Sequence, residues 1–93
     1  MHLALVYTLV DDYLERRGPL RNKHLELARA AADRGELLLG GAFDAPADRA
    51  LLVWRTDDEA VVRDFVDSDP YVSNGLVAAW EIRQWNVVVG AAQ

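Results

Sequence analysis

The stretch Leu20-Arg-Asn-Lys-His24-Leu-Glu-Leu27-Ala28-Arg-Ala-Ala31-Ala-Asp-Arg-Gly35 decides the fold of this chain. Its apolar residues recur at the spacing of one helix face, and it stops at a glycine, the residue that most often terminates a helix. Gly18-Pro19 comes just before it, and proline is tolerated in the first turn of a helix. The stretch therefore predicts an amphipathic helix over residues 20–34.

Strand-like segments flank this helix on both sides. Residues 3–9 (LALVYTL) carry large apolar side chains at alternate positions, which is typical of a strand with one buried face. Residues 37–43 predict a second strand and residues 50–55 a third, with the turn-forming segment 44–48 between them. The stretch from 10 to 19 is expected to be an irregular arm.

The second half of the chain repeats the helix and the strand. Thr56-Asp-Asp-Glu59 has the spacing of a capping box and predicts the start of a second helix, which ends at Pro70. Asn74-Gly75 indicates a turn, and residues 77–89 predict a long last strand. The order βαββαβ predicts a ferredoxin-like α+β sandwich, formed as a single domain by residues 1–93. A doubly wound parallel sheet would need more strands and a glycine-rich phosphate-binding turn.

The composition argues against several classes of function. A net charge of −5 disfavours nucleic acid, which attracts basic patches. The chain has no cysteine, so it has no disulfide, no thiolate nucleophile and no cysteine-ligated zinc. Residues 3–9 are too short to span a membrane and lack the basic start of a signal peptide. We therefore expect a cytoplasmic protein with neither a nucleic-acid nor a membrane partner.

The hydrophobic content favours self-association. Hydrophobic residues make up 52% of the chain, and three of them are tryptophans. A single layer of helices covers only one face of a four-stranded sheet, so the other face meets water or a partner. The last strand is expected to carry apolar residues on both faces, with Val77, Ala79 and Trp85 on one of them. We expect a homodimer formed through the open face; the alternative is a monomer with scattered exposed apolar groups.

His24 interrupts the apolar stripe of the first helix at a position that packing alone would give to leucine. A buried polar group without a hydrogen-bond partner costs about 1–3 kcal/mol, so the imidazole must find one. In a βαββαβ fold the first helix begins, and the second helix ends, at the same end of the sheet. Asp69, expected as the last residue of the second helix, therefore lies near His24, as does Gly41 near the close of the second strand.

The pair His24 and Asp69 has two interpretations. Pro70 restricts Asp69 to extended backbone geometry, which turns its carboxylate toward the two helices. A carboxylate bound to one ring nitrogen fixes the tautomer of a histidine and raises the basicity of the other nitrogen. Such an arrangement serves general acid/base catalysis. It can equally tether two helices, and the residues alone leave both interpretations open.

Three segments of the chain resemble the YCII-related (YciI-like) family. They are Arg17-Gly-Pro-Leu-Arg21-Asn-Lys-His24-Leu25, Gly35-Glu-Leu-Leu-Leu-Gly-Gly41 and Asp69-Pro-Tyr-Val-Ser-Asn-Gly75-Leu76, in this order over nearly the whole chain. The resemblance implies a dimeric α/β barrel in which two ferredoxin-like sheets face one another. It also maps the histidine and aspartate of the family's active site onto His24 and Asp69. One relative is a dehydrochlorinase of a chlorinated hydroxyhydroquinone.

The chain departs from the family at the expected pocket wall. Many members carry Gly-Pro after the second strand, where this chain has Gly41-Ala42, and the connection to the third strand is short. Both differences touch the pocket, so the substrate of a relative is not carried over to this chain.

Four further residues are candidates for binding a substrate. Arg17 and Arg21 flank the expected pocket mouth, where a guanidinium can bind an anionic group with two hydrogen bonds. Arg17 could instead pair with the acidic residues of the preceding arm. Tyr71 could hydrogen-bond a substrate oxygen or simply pack, and Gly41 belongs to the pocket wall. Two distant histidines without suitably spaced carboxylates do not form a metal site, and none is expected.

These observations support two hypotheses of different kinds. The first is a small enzyme that uses His24 as a general acid/base, oriented by Asp69, without metal or organic cofactor. Its substrate would be a small anionic or phenolic molecule, and its reaction lyase-, isomerase- or hydrolase-like. The second is a non-catalytic module in which the same pocket binds a small-molecule ligand.

Overall fold

The computed structural model describes residues 1–90 and contains one four-stranded antiparallel sheet. The strands are β1 (His2–Leu9), β2 (Leu37–Ala42), β3 (Arg49–Arg55) and β4 (Val77–Trp85); the helices are α1 (Tyr13–Arg16), α2 (Gly18–Asp33), α3 (Glu59–Ser68) and α4 (Pro70–Ser73). The strand order is β2-β3-β1-β4, with every neighbouring pair antiparallel. This topology confirms the ferredoxin-like α+β fold expected from the βαββαβ order.

The core lies between the helices and one face of the sheet. Alternate residues of β1 are buried, and the pairing of β1 with β3 places Leu5 opposite Leu52 and Leu3 opposite Trp54 on the same face. From the helix side, Ala31 of α2 and Val62 and Phe65 of α3 join this cluster. The period of two in the strands and 3.6 in the helices thus produces a single apolar layer.

Helix α2 confirms the prediction made from its apolar stripe and begins two residues earlier than predicted. It begins at Gly18, with Pro19 in its first turn, and ends at Asp33. Gly35 follows with a φ of 78°, a left-handed conformation that glycine adopts without steric cost. The arm before α2 is not wholly irregular, because α1 forms one helical turn there and buries Tyr13.

The start of α3 corrects the predicted capping box. The N-cap is Asp58, whose carboxylate accepts a hydrogen bond from the Ala60 amide at 2.9 Å. The Thr56 hydroxyl accepts instead from the Asp58 amide, at 3.1 Å. Aspartate is at least as good an N-cap as threonine, so the two candidate caps compete and the one nearer the helix prevails.

Helix α3 ends one residue earlier than predicted, so Asp69 lies just after the helix and is not its last residue. The helix stops at Ser68, and Asp69 is extended, with φ −74° and ψ 118°, as a residue before proline should be. Pro70 does more than end α3, because it opens the short helix α4, for which Asp69 is the N-cap. Asp69 is therefore the joint between two helices.

Strand β4 is shorter than predicted and contains an irregularity. It ends at Trp85, not at Val89. Thr8 pairs with Ala79 and Leu9 with Val77, so Ala78 is an extra residue of the kind that makes a β-bulge. The bulge turns Val77 to the core, against which it packs, whereas Ala79 stays on the open face. The expectation that Val77, Ala79 and Trp85 share one face was therefore wrong for Val77.

No helix within residues 1–90 combines the length and hydropathy needed to cross a bilayer.

Candidate active site

The predicted contact between His24 and Asp69 is present at one end of the sheet. Nδ1 of His24 lies 2.8 Å from Oδ1 of Asp69, although the two residues are 45 positions apart. The Asp69 side chain is fully buried, and 15% of the His24 side chain is exposed. Because an ionised carboxylate can only accept hydrogen bonds, Nδ1 carries the proton in this contact.

The Asp69 carboxylate accepts three hydrogen bonds from residues 1–90. Besides His24, the backbone N–H of Tyr71 donates to Oδ1 at 3.0 Å, and the Tyr7 hydroxyl donates to Oδ2 at 2.8 Å. A buried carboxylate is stable only when such donors replace its lost hydration. The donors come from α2, α4 and β1, so Asp69 is fixed by three elements at once.

Tyr7 stays protonated and therefore remains a donor. Burial, and then the negative charge of Asp69, raise the pKa of the Tyr7 phenol far above its ordinary value. The sequence analysis did not include Tyr7 among the site residues, since it occupies a core position of β1 like Leu5 and Leu9. The hydroxyl of Tyr7 could have indicated a polar contact, because a buried tyrosine oxygen usually has a hydrogen-bond partner.

The second ring nitrogen of His24, Nε2, is free to contact a ligand. Within residues 1–90, Nε2 makes no hydrogen bond, and it is not among the buried polar atoms that lack a partner, so it retains access to solvent. The imidazole stacks on the Tyr71 ring, with centroids 3.9 Å apart and planes 9° from parallel. Hydrogen bonding at Nδ1 and stacking on one face together fix the orientation of the ring.

A cavity of about 320 Å³ lies against His24, between α2 and the edge of the sheet formed by β2 and β3. It exists because small residues face each other across this space: Ala28 and Ala32 on α2, and Gly40, Ala42 and Ala50 on the strands. Pockets of this size, mostly apolar with a few polar groups, are typical of small-molecule sites.

The cavity brings together the residues that the sequence singled out. His24, Arg17, Arg21, Tyr71 and Gly41 all line it, whereas Asp69 lies behind His24 and does not. Tyr13 and Arg29 also line it, and the sequence analysis missed both. Tyr13 was hidden in the supposedly irregular arm, and Arg29 could have been found from its spacing of eight residues from Arg21 on α2.

The charged residues at the cavity are all cationic. Arg17 lies over the Tyr13 ring, with its guanidinium carbon 5.4 Å from the ring centroid, and does not pair with the acidic arm. Asp12 of that arm pairs with Arg16 instead, at 3.6 Å. Neither Arg17, Arg21 nor Arg29 forms an ion pair within residues 1–90, and none of the described lining residues is acidic. The same part of the chain holds no cluster of three metal-ligating side chains.

Comparison with known proteins agrees with the fold. The profile of the YCII-related domain matches residues 1–86. The 5-chloro-2-hydroxyhydroquinone dehydrochlorinase from Burkholderia phenoliruptrix, solved in complex with 2,5-dihydroxybenzoquinone, superposes with a TM-score of 0.77 at 20% identity, over 92% of this chain and 94% of that one. A NIPSNAP family protein from Agrobacterium tumefaciens gives a TM-score of 0.55 at 15% identity, over 88% and 87%. No curated protein sequence matches. The match over residues 1–86 shows that the chain belongs to the YCII-related domain family.

Proposed function

We propose that this protein is a small enzyme in which His24 transfers a proton to or from a small phenolic or anionic molecule, without metal or organic cofactor. Asp69 orients His24, and the cavity beside the imidazole holds the substrate. The reaction is lyase-, isomerase- or hydrolase-like, since each of these classes needs a proton moved between two positions.

One observation carries the proposal: the fully buried Asp69 carboxylate holds Nδ1 of His24, while Nε2 remains accessible beside a cavity. A pair that only tethered two helices would gain nothing from an accessible nitrogen next to empty space. The geometry instead matches the orienter and the base of a catalytic triad, in which the carboxylate holds the correct tautomer and stabilises the imidazolium.

The residues suggest how the proton moves. The lone pair of Nε2 takes a proton from the substrate, and the electrons left behind become an oxyanion or expel a leaving group. The imidazolium that forms is stabilised by the Asp69 carboxylate, which Tyr7 and the Tyr71 amide hold in place by donating to it. The same proton then returns from Nε2 to another atom of the substrate or to the departing group.

Two observations support the substrate class. The lining residues described include three arginines and no carboxylate, which favours an anion. The dehydrochlorinase that shares the fold acts on 5-chloro-2-hydroxyhydroquinone and was solved with 2,5-dihydroxybenzoquinone, so a fold of this kind accommodates a hydroxylated ring.

The test is turnover in D2O with a panel of hydroxylated aromatic and quinone molecules, including 5-chloro-2-hydroxyhydroquinone. NMR would follow deuterium incorporation, and a chloride electrode would follow release of chloride. We expect turnover by the parent and a loss of about 10²- to 10⁴-fold in His24→Gln, the range typical of general acid/base catalysis.

His2→Gln is the matched control, because His2 lies at the start of β1 and does not line the cavity. It should behave as the parent does. Equal turnover by parent and His24→Gln would contradict the proposal. Ligand binding without turnover of any panel member would favour the alternative, a non-catalytic binding module.

The same proposal includes a homodimer in the cytoplasm. The open face of the sheet carries exposed apolar side chains, with Leu39 69% and Trp85 44% exposed, and a second copy would bury them. Light scattering should give twice the chain mass of 10.4 kDa at micromolar concentration. A mass of 10.4 kDa would contradict the dimer.

A further inference from the structure

Gly40 lies in the interior of β2, where a glycine weakens the strand because it adds no side chain to pack and loses much conformational freedom on folding. A left-handed backbone would explain the glycine, but Gly40 does not have one. The glycines with a positive φ within residues 1–90 are Gly35, Gly75 and Gly90. The backbone at position 40 is therefore one that an alanine or a valine also adopts.

Packing inside the protein does not require a glycine at position 40 either. A Cβ placed on Gly40 would lie 3.5 Å from Cγ of Leu52 and 3.8 Å from Cδ2 of Leu37, and no other residue would be nearer. These separations are ordinary van der Waals contacts, so a methyl group would fit without displacing a neighbour. The glycine therefore leaves room that the folded chain itself does not use.

This room is part of the cavity beside His24. Gly40 pairs with Leu52 in the ladder between β2 and β3, and directly paired residues of antiparallel strands share a face. Leu37 and Leu52 are buried, and both line the cavity together with Gly40. The wall on the helix side includes a row of α2 residues spaced one turn apart: His24, Ala28 and Ala32.

The two sides of the cavity differ in polarity. All six residues of β2 line the cavity, and every one of them is leucine, glycine or alanine. The three arginines of the lining lie on α2 or immediately before it. A ligand with one charged and one apolar end would therefore direct its charged end toward α2 and lay its apolar end against β2.

We propose that Gly40, Leu37 and Leu52 form an apolar subsite that receives a hydrophobic substituent of the substrate, and that the missing side chain of Gly40 sets the size limit of that substituent. A glycine inside a strand often marks a place where a ligand approaches the backbone closely. The inference rests on the proposed function, because it assumes that the same cavity holds the substrate. It narrows the substrate class to a phenol or organic acid whose ring carries an alkyl or similar apolar group.

Two probes test the subsite: 4-hydroxybenzoate and 3-propyl-4-hydroxybenzoate. They share the hydroxyl and the carboxylate and differ only in the apolar group. Isothermal titration calorimetry of the full chain should give a Kd for the propyl compound at least about tenfold below that for 4-hydroxybenzoate, because the propyl group leaves water. Equal Kd values would overturn the subsite, as would an absence of binding of the propyl compound.

A graded pair of variants tests the role of Gly40. Gly40→Val should raise the Kd for the propyl compound at least about tenfold and that for 4-hydroxybenzoate less than about twofold, with Gly40→Ala between parent and Gly40→Val. Gly18→Ala is the matched control, because a Cβ on Gly18 would meet nothing within 4 Å and Gly18 does not line the cavity. It should leave both Kd values unchanged. Equal losses of both probes in Gly40→Val, or no loss of either, would contradict the subsite.

The unfolding midpoint separates binding from structure. Gly40→Ala should have a urea midpoint no lower than that of the parent, because alanine loses less conformational freedom than glycine in a strand. A lower midpoint would show that packing requires the glycine, and the proposal would be wrong.

His24→Gln keeps this experiment separate from the test of the proposed function. This variant should abolish turnover and still prefer the propyl compound, because the three residues of the subsite are intact. Loss of that preference in His24→Gln would contradict a subsite made by Gly40, Leu37 and Leu52. Absence of turnover in the parent would count against the proposed enzyme and would leave the difference between the two probes, and its dependence on Gly40, as the test of the subsite.

Discussion

The two ends of the core differ in what they bury. At one end, Trp54 is fully buried with its ring 5.1 Å from that of Phe65, and it does not line the cavity beside His24. At the other end, Asp69 is equally buried, but it is surrounded by donors and lies behind a histidine that faces a cavity. Both ends hold a buried donor without a partner within residues 1–90, the indole nitrogen of Trp54 and the hydroxyl of Tyr71. What separates the two ends is therefore the buried carboxylate and the adjoining cavity, not an unpaired donor.

The comparison indicates that the two ends of the core have different roles, one in stability and the other in chemistry. The packed rings of Trp54 and Phe65 at that end contribute to stability. Small residues at the Tyr7 end leave space, and that space is useful because an ordered polar network lies beside it. Changes at the Trp54 end should therefore affect stability, and changes at the Tyr7 end should affect chemistry.

The largest effect is expected for Asp69→Asn. The amide keeps the shape of the side chain but cannot stabilise an imidazolium, so turnover should fall by about 10²- to 10⁴-fold. The free energy of unfolding, measured with urea, should fall by only about 1–3 kcal/mol. A loss of several kcal/mol of stability with unchanged turnover would show a structural pair, as expected for a broken buried ion pair.

The reverse result is expected for Trp54→Ala. Removing a fully buried ring leaves a cavity in the apolar end, so the free energy of unfolding should fall by about 3–5 kcal/mol. Under conditions where the variant is still folded, its turnover should fall far less than that of Asp69→Asn, because Trp54 is linked to His24 through the Phe65 ring and not directly. A small stability loss together with a loss of turnover as large as that of Asp69→Asn would mean that the two ends are not separate.

A smaller effect on both quantities is expected for Tyr7→Phe, which removes the hydrogen bond to Oδ2 of Asp69. The free energy of unfolding should fall by about 1.5–3 kcal/mol, and turnover by about tenfold. Because Tyr7 acts through Asp69, adding Tyr7→Phe to Asp69→Asn should reduce turnover little further. Full additivity of the two changes would show that Tyr7 has a separate role.

The smallest effect concerns alkaline pH. The pKa of Tyr7 is raised in the folded state, and that of Tyr71 is raised to about 12, both from an unfolded value near 10. The folded state thus binds these two phenol protons more tightly than the unfolded state does. Their contribution to the free energy of unfolding is fully present below pH 10 and is lost as the pH rises toward 12. Urea midpoints should fall over this range, and less steeply in the double variant Tyr7→Phe, Tyr71→Phe. An equally steep fall in the double variant would contradict this assignment.

The sequence predicted the fold and the central pair because both follow from long-range regularities. Strand and helix periods fixed the element order, and the order alone brought His24 to Asp69. Features that depend on competition between neighbours were missed: Asp58 against Thr56 as the helix cap, and the extra residue Ala78 in β4. Tyr7 was missed because its ring packs in the core like that of any apolar residue, while its hydroxyl donates a hydrogen bond to Asp69. A pocket was expected beside His24, but its shape was not predicted because it results from small residues on three different elements.

The most direct test of the central claim is the tautomer of His24. In protein labelled with ¹⁵N, long-range ¹H–¹⁵N correlation spectra distinguish a neutral imidazole protonated at Nδ1 from one protonated at Nε2. The contact with Asp69 predicts that neutral His24 carries its proton on Nδ1, which leaves the Nε2 lone pair facing the cavity. A proton found on Nε2 in the parent would contradict the account.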